Sequence, residues 1–257
     1  NNTLCEGSTG QVYTTQPGNT NYLWVVPFPW GTITAGGGTA DDNVTVTWNI
    51  AGVHTVTVNY TDGNGCTAVA PASLPVTVNA LPDVIFNYSP LPGCSGTALN
   101  IQLFSNVPGT TFAWTATGSS ANVNPQTVSG TGNITQSFTN TGFAIENVVF
   151  SVVPTAIGCS PAAPVLSNPV PIYPVPDLIT SPANLTVCSN TQANVALSSN
   201  VLNTAFFWTA TGGPGITPAT ITGIGDISET FQNSGIVPST VSFSIVPTAN
   251  GCGNPAT

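Results

Sequence analysis

Six cysteines, one histidine and nine carboxylates are the side chains of this chain that react or titrate most readily, because its 257 residues include no Lys and no Arg. The cysteines are Cys5, Cys66, Cys94, Cys159, Cys188 and Cys252. Taken in successive pairs they are separated by 61 (66 − 5), 65 (159 − 94) and 64 (252 − 188) residues. No CxxC occurs and no second type of metal ligand stands beside any of them, so structural disulfides are favoured over zinc. One pair per repeat gives Cys5–Cys66, Cys94–Cys159 and Cys188–Cys252 as the expected bonds, with free buried thiols as the alternative. Each closed loop would contribute roughly 4 kcal/mol in the chain-entropy model. Such bonds belong to an oxidising, extracellular setting.

The other reactive groups are dispersed. His54 is the single imidazole and has no Ser or Cys nucleophile pattern around it. Of the carboxylates only Asp41 and Asp42 are adjacent, and neighbours on one turn rarely act as a general acid–base pair. No catalytic residue and no cofactor-binding residue is expected, and the chain reads as a non-enzyme. The one cofactor to weigh is calcium, with Asp62-Gly63-Asn64-Gly65, Asp83 and Asp177 as oxygen donors near domain seams. The same residues also have an ordinary reading as turn formers, and that reading is favoured over calcium. A formal net charge of −9 without one basic side chain excludes phosphate neutralisation, and with it nucleic-acid binding. No stretch approaches the roughly 18 apolar residues of a membrane span, so no membrane insertion is expected.

What must position these groups is a repeated unit. Trp24, Trp114 and Trp208 follow the first cysteine of each pair by 19 (24 − 5), 20 (114 − 94) and 20 (208 − 188) residues. Phe112-Ala113-Trp114-Thr115-Ala116-Thr117-Gly118 recurs as Phe206-Phe207-Trp208-Thr209-Ala210-Thr211-Gly212. Phe150 to Cys159 likewise recurs as Phe243 to Cys252. Within each unit apolar and polar residues alternate, as in Val44-Thr45-Val46-Thr47-Trp48, and Gly and Pro punctuate at short intervals. That pattern predicts short strands with one face on a core and one in water. The Cys…Trp…Cys frame then predicts an all-β chain of three tandem immunoglobulin-like sandwiches in a linear array, each with its own disulfide and its Trp packed against it. The expected domains are 1–81, with its opening strand trimmed, 82–175, and 176–257, with its closing strand missing, so that the native chain is expected to continue in both directions. Leu81-Pro82-Asp83 and Val175-Pro176-Asp177 mark the seams. Their prolines predict semi-stiff connections between domains strung like beads.

Cys5-Glu6-Gly7-Ser8-Thr9-Gly10-Gln11-Val12-Tyr13, Asn21-Tyr22-Leu23-Trp24 and Val44-Thr45-Val46-Thr47-Trp48 resemble the PKD-like repeats of very large Bacteroidota surface proteins. The units with Trp-Thr-Ala-Thr-Gly and Val-Pro-Thr-Ala-x-Gly-Cys are similar to a companion repeat of the same proteins. The resemblance implies an adhesin of the gliding-motility type, exported by the type IX secretion machinery and held at the cell surface. A surface polysaccharide or another surface component would then be its partner. Two further readings remain, a specific saccharide- or protein-binding module and an accessory region of a secreted hydrolase. Trp30, in Pro27-Phe28-Pro29-Trp30, is the one good candidate for an exposed ligand-binding aromatic, and it has no counterpart in the other units.

Overall fold

The structure is a computed structural model that describes residues 4–89 and 93–254, and within them every regular element is a β-strand. In the first repeat these are β1 (Leu4–Cys5), β2 (Gln11–Thr14), β3 (Thr20–Val25), β4 (Gly31–Gly36), β5 (Asn43–Trp48), β6 (Gly52–Thr61) and β7 (Ala72–Asn79). They form two sheets, ordered β1-β7-β6-β3 and β2-β5-β4. Alternation decides what lies between them. Val44, Val46 and Trp48 of β5 meet Tyr22 and Trp24 of β3, Val56 and Val58 of β6, and Val76 and Val78 of β7 in one core. Each fully buried Val contributes roughly 1.5–3 kcal/mol relative to exposure. The aromatic polar tips are satisfied. Trp24 Nε1 donates to Asp41 O at 2.9 Å, Trp48 Nε1 to Tyr13 Oη at 2.8 Å, and Tyr22 Oη to Gln16 O at 2.7 Å.

The chain separates into two compact units. One comprises Asn1–Ile85, Leu103–Ala113 and Val152–Val165; the other comprises Phe86–Gln102, Trp114–Ser151 and Leu166–Thr257. The division runs through the second repeat, so each seam between repeats lies inside one unit.

Trp24, Trp114 and Trp208 are 7 %, 7 % and 4 % exposed, and Tyr22, Phe112 and Phe206 are buried on the same faces. None of the three indoles rests on a disulfide within its own repeat, because no such bond exists. Aromatic rings take that place. Trp114 meets Phe150 edge-on at 6.0 Å and Phe150 meets Phe138 at 6.2 Å. In the third repeat Trp208, Phe243 and Phe231 repeat the set at 5.7 and 6.2 Å. Opposite each of these two indoles lies a glycine. Gly223 faces Trp208 in register, and a Cβ at Gly223 or Gly130 would run into the indole ring.

The two later repeats differ at one sheet edge. In the second, Val170–Tyr173 pairs with Glu146, Asn147 and Val148, and Phe150 is completely buried. In the third, that flank of Val241–Ala249 carries only Cys252–Gly253 among the described residues, and Phe243 is only partly buried.

Gly223→Ala and Gly130→Ala should each destabilise the chain by about 1–3 kcal/mol through overpacking, whereas Gly132→Ala meets no neighbouring atom within 4 Å and bears only the strain of its positive φ. Chemical denaturation followed by tryptophan fluorescence checks the first two. Unchanged midpoints would mean that the indoles do not lie over the glycines.

Candidate functional site

The cysteines define the site, and strand length decides how they pair. Cys5 sits on β1, which runs parallel to the end of β7, with Leu4 opposite Val78 and Cys5 opposite Asn79. Val78 in turn faces Gly52, the first residue of β6. Cys66 lies beyond the other end of β6, in a reversal where Asp62 N donates to Cys66 O at 2.9 Å. Ten residues of β6 therefore separate the two cysteines, about 30 Å at the usual strand rise. The second repeat has the same layout. Cys94 faces Tyr173 at the start of Glu146–Thr155, and Cys159 lies past its end, exchanging backbone hydrogen bonds with Ala156. A disulfide needs its Cα atoms within about 7 Å. The expected pairs Cys5–Cys66, Cys94–Cys159 and Cys188–Cys252 are thus corrected, since each repeat carries its two cysteines at opposite poles.

The bonds formed are Cys5–Cys159, with S–S 1.98 Å and Cα–Cα 5.7 Å, and Cys94–Cys252, with 2.01 Å and 5.5 Å. Cys66 and Cys188 are free and exposed. In both bonds the first cysteine of one repeat takes the second cysteine of the next. The repeats are therefore stapled across their seams, which adds a covalent bond to each proline-containing connection.

A second device occupies each seam. Asp83 Oδ1 accepts from Ser105 Oγ and Asn106 N, both at 2.7 Å, and its Oδ2 accepts from Asn106 Nδ2 at 2.6 Å. Asp177 repeats this with Ser199 Oγ at 2.6 Å, Asn200 N at 2.8 Å and Asn200 Nδ2 at 2.6 Å. The clasp was legible in principle, because Ser105-Asn106-Val107 and Ser199-Asn200-Val201 are 94 residues apart (199 − 105), like the two aspartates (177 − 83). Hydrogen bonds from Ser105 and Asn106 hold the Asp83 carboxyl below the usual aspartate range. At Asp177 burial pushes upward, but the donors from Ser199 and Asn200 together outweigh it and the carboxyl is lowered. The third oxygen donor considered for calcium, Asp62, also serves a turn. Its Oδ1 accepts from Cys66 N at 2.8 Å and Asn64 N at 2.9 Å, which holds this carboxyl too below the usual aspartate range. Among the described residues no three of His, Cys, Asp or Glu gather as a metal group.

The first repeat also carries an aromatic shelf. Trp30, 42 % exposed, stacks on His54 at 5.8 Å, and His54 stacks on the buried Trp48 at 5.5 Å. His54 Nε2 lies 3.0 Å from Ile50 O, so the imidazole is held between two indoles and a carbonyl. Pro27, Trp30, Gly52, Val53, His54 and Thr55 line an open cleft of about 460 Å³, with Phe28 83 % exposed nearby in sequence.

Two-sheet sandwiches with this frame form a tandem β-sandwich array of the immunoglobulin-like type. Two family models, both described as "PKD-like domain", match it, one over residues 1–76 and the other over residues 92–167 and 185–257. The chain belongs to the PKD-like domain family. Among solved structures it is similar to chicken CNTN1 FN1–FN3 domains, at 11 % identity and TM-score 0.32, covering 98 % of this chain and 97 % of that one. It is also similar to mouse cadherin-23 EC22–24, at 12 % identity and TM-score 0.32 over 92 % and 88 % of the two chains. The human desmocollin-1 ectodomain shares 13 % identity at TM-score 0.31 over 95 % and 59 %. No curated protein matches the chain. Among the described residues no helix is long and apolar enough to cross a membrane.

Two outcomes are expected. Cys5→Ser, Cys159→Ser and the double variant should lose the same stability, about 4–5 kcal/mol for a loop of this length, because each breaks the same bond. Additive losses in thermal denaturation would contradict the pairing. The seam carboxylates, lowered in the folded chain, contribute stability that is fully present above the ordinary aspartate range and is lost as pH falls through their folded values. An Asp83→Asn/Asp177→Asn variant should therefore show a shallower loss of stability on acidification than the parent, measured by denaturant midpoint against pH.

Proposed function

We propose that this chain is a non-catalytic, extracellular structural segment whose repeats transmit tension along a surface protein. The observation that carries this reading is the interleaving of its staples. The loop closed by Cys5–Cys159 contains Cys94, and the loop closed by Cys94–Cys252 contains Cys159. The shortest covalent path from Cys5 to Cys252 therefore crosses both bonds and holds 65 residues (159 − 94), against 247 (252 − 5) along the backbone. A pulled chain cannot pay out its full length while the bonds stand. Two disulfides also support an oxidising compartment outside the cytosol. Membership of the PKD-like family agrees with a structural or adhesive module. The finer reading is a stalk or filament segment of a very large secreted adhesin, of the gliding-motility, type IX-exported kind that the motifs of the first repeat resemble.

A second reading has its own observation. The Trp30–His54 shelf beside exposed Phe28 presents a flat aromatic face, which suits the apolar face of a sugar ring. On that reading the first repeat alone binds a surface polysaccharide, and Trp30→Ala removes the binding without changing the fold.

Single-molecule pulling from the two ends tests the main reading. The oxidised chain should extend between Cys5 and Cys252 by about 220 Å and the reduced chain by about 850 Å, at the reach of an extended backbone. Equal extension with and without reductant would remove the mechanical argument.

A further inference from the structure

Cys66 and Cys188 are the two cysteines left over by the staples, and each shares local turn features with the bonded ones, although Cys188 lies on no strand, unlike Cys5 and Cys94. Cys66 follows the long strand Gly52–Thr61 in a tight reversal, closed by Asp62 N to Cys66 O and Gly65 N to Asp62 O, both at 2.9 Å. Cys159 and Cys252 follow Glu146–Thr155 and Val241–Ala249 in reversals one residue shorter, as antiparallel partners of Ala156 and Ala249. Cys188 shares the turn of Cys5 and Cys94. Its carbonyl accepts from Thr191 N at 3.0 Å, as that of Cys5 accepts from Ser8 N and that of Cys94 from Thr97 N, both at 2.9 Å. The next residues match as well. Asn190 N donates to Phe231 O as Gly96 N donates to Phe138 O, and Ser189 Oγ accepts from Asn233 N at 2.9 Å as Ser95 Oγ accepts from Asn140 N.

We propose that Cys66 and Cys188 are the complementary halves of one more seam staple, and that each takes the opposite cysteine of a further PKD-like repeat. The rule within the chain is first cysteine to the second cysteine of the following repeat. Cys188 is a first cysteine and Cys66 a second cysteine, and the internal staples leave both free. A second copy of this chain, joined head to tail, supplies both, with Cys188 of one copy bonding Cys66 of the next. The contact is heterologous, so each copy joined this way keeps one free cysteine for a further copy. This inference rests on the stapled-array reading and does not require the chain to adhere to anything.

The chemistry is a two-electron oxidation and needs a disulfide oxidant, here oxidised glutathione. Cys188 gives its proton to solvent, and its thiolate attacks one glutathione sulfur, forming a mixed disulfide and releasing one glutathione thiolate. The Cys66 thiolate of the other copy then attacks the Cys188 sulfur and releases the second glutathione thiolate. Both protein sulfurs are oxidised and the oxidant is reduced.

The test mixes equal amounts of Cys66→Ser and Cys188→Ser chains, distinguishable by mass, with oxidised and reduced glutathione. Both substitutions are at exposed, unbonded positions and leave the two internal staples intact. The mixed dimer should exceed either homodimer by about tenfold, the preference that a docked seam confers on exchange. Mixed dimer at only twice either homodimer is random collision and overturns the proposal, as does capping of both thiols by glutathione without dimers. The pulling experiment depends on the internal bonds alone, so its failure and the failure of this test are separable. Unmodified chain should give a ladder of covalent multimers that a Cys66→Ser/Cys188→Ser chain does not.

Discussion

The constraint on which the rest depends is that each sandwich holds its two cysteines at opposite ends of one long strand. A ten-residue strand such as β6 or Glu146–Thr155 is stiff and about 30 Å long, so no relaxation brings its two poles together. The first cysteine stands where the chain leaves a repeat, beside the end of β7 or of Val170–Tyr173. The second stands on the reversal at the pole where the chain enters. Consecutive repeats therefore present unlike cysteines to each other across a seam, and the disulfide joins neighbours instead of closing one core. Each seam then has two covalent connections, the backbone and the staple, which restrict twisting as a single linker would not.

Chemistry without cations explains the rest of the seam. With no Lys or Arg, no seam carboxylate can be neutralised by an ion pair with either residue. Asp83 and Asp177 are instead satisfied by a hydroxyl, a backbone N–H and an amide from the Ser-Asn pair that follows each. Such charge-assisted hydrogen bonds are stronger than neutral ones and keep the carboxylates ionised without a counterion. The cores are correspondingly plain. Valines and three-ring aromatic sets fill them, and a glycine on the adjacent strand makes room for each of Trp114 and Trp208.

Alternation, the three tryptophans and the repeat itself were legible because each is a local pattern with a fixed period. Val44-Thr45-Val46-Thr47-Trp48 specifies its buried face whatever surrounds it. The disulfide pairing was not legible, for a definite reason. Equal spacing of one pair per repeat is the same arithmetic whether each first cysteine bonds within its repeat or one repeat onward. Only the strand length between Cys5 and Cys66 distinguishes the two, and it becomes visible once β6 is seen to run unbroken from Gly52 to Thr61. The Asp-Ser-Asn clasps were recoverable from their shared spacing, but a turn-forming aspartate reads the same with or without its partners. The Trp30 shelf was half legible. The sequence marks Trp30 as exceptional, while its stacking on His54 depends on the hairpin that brings Gly31 opposite Trp48.

The most direct measurement is a disulfide map of the oxidised chain. Free thiols would be alkylated without reduction, and the protein cut with pepsin at low pH, where exchange is suppressed and the lack of Lys and Arg is no obstacle. Linked peptides would be read by mass spectrometry. Linked fragments joining Cys5 to Cys159 and Cys94 to Cys252, with alkyl groups on Cys66 and Cys188, are the predicted result. A fragment joining Cys5 to Cys66, or Cys94 to Cys159, would contradict the seam staple and the mechanical account built on it.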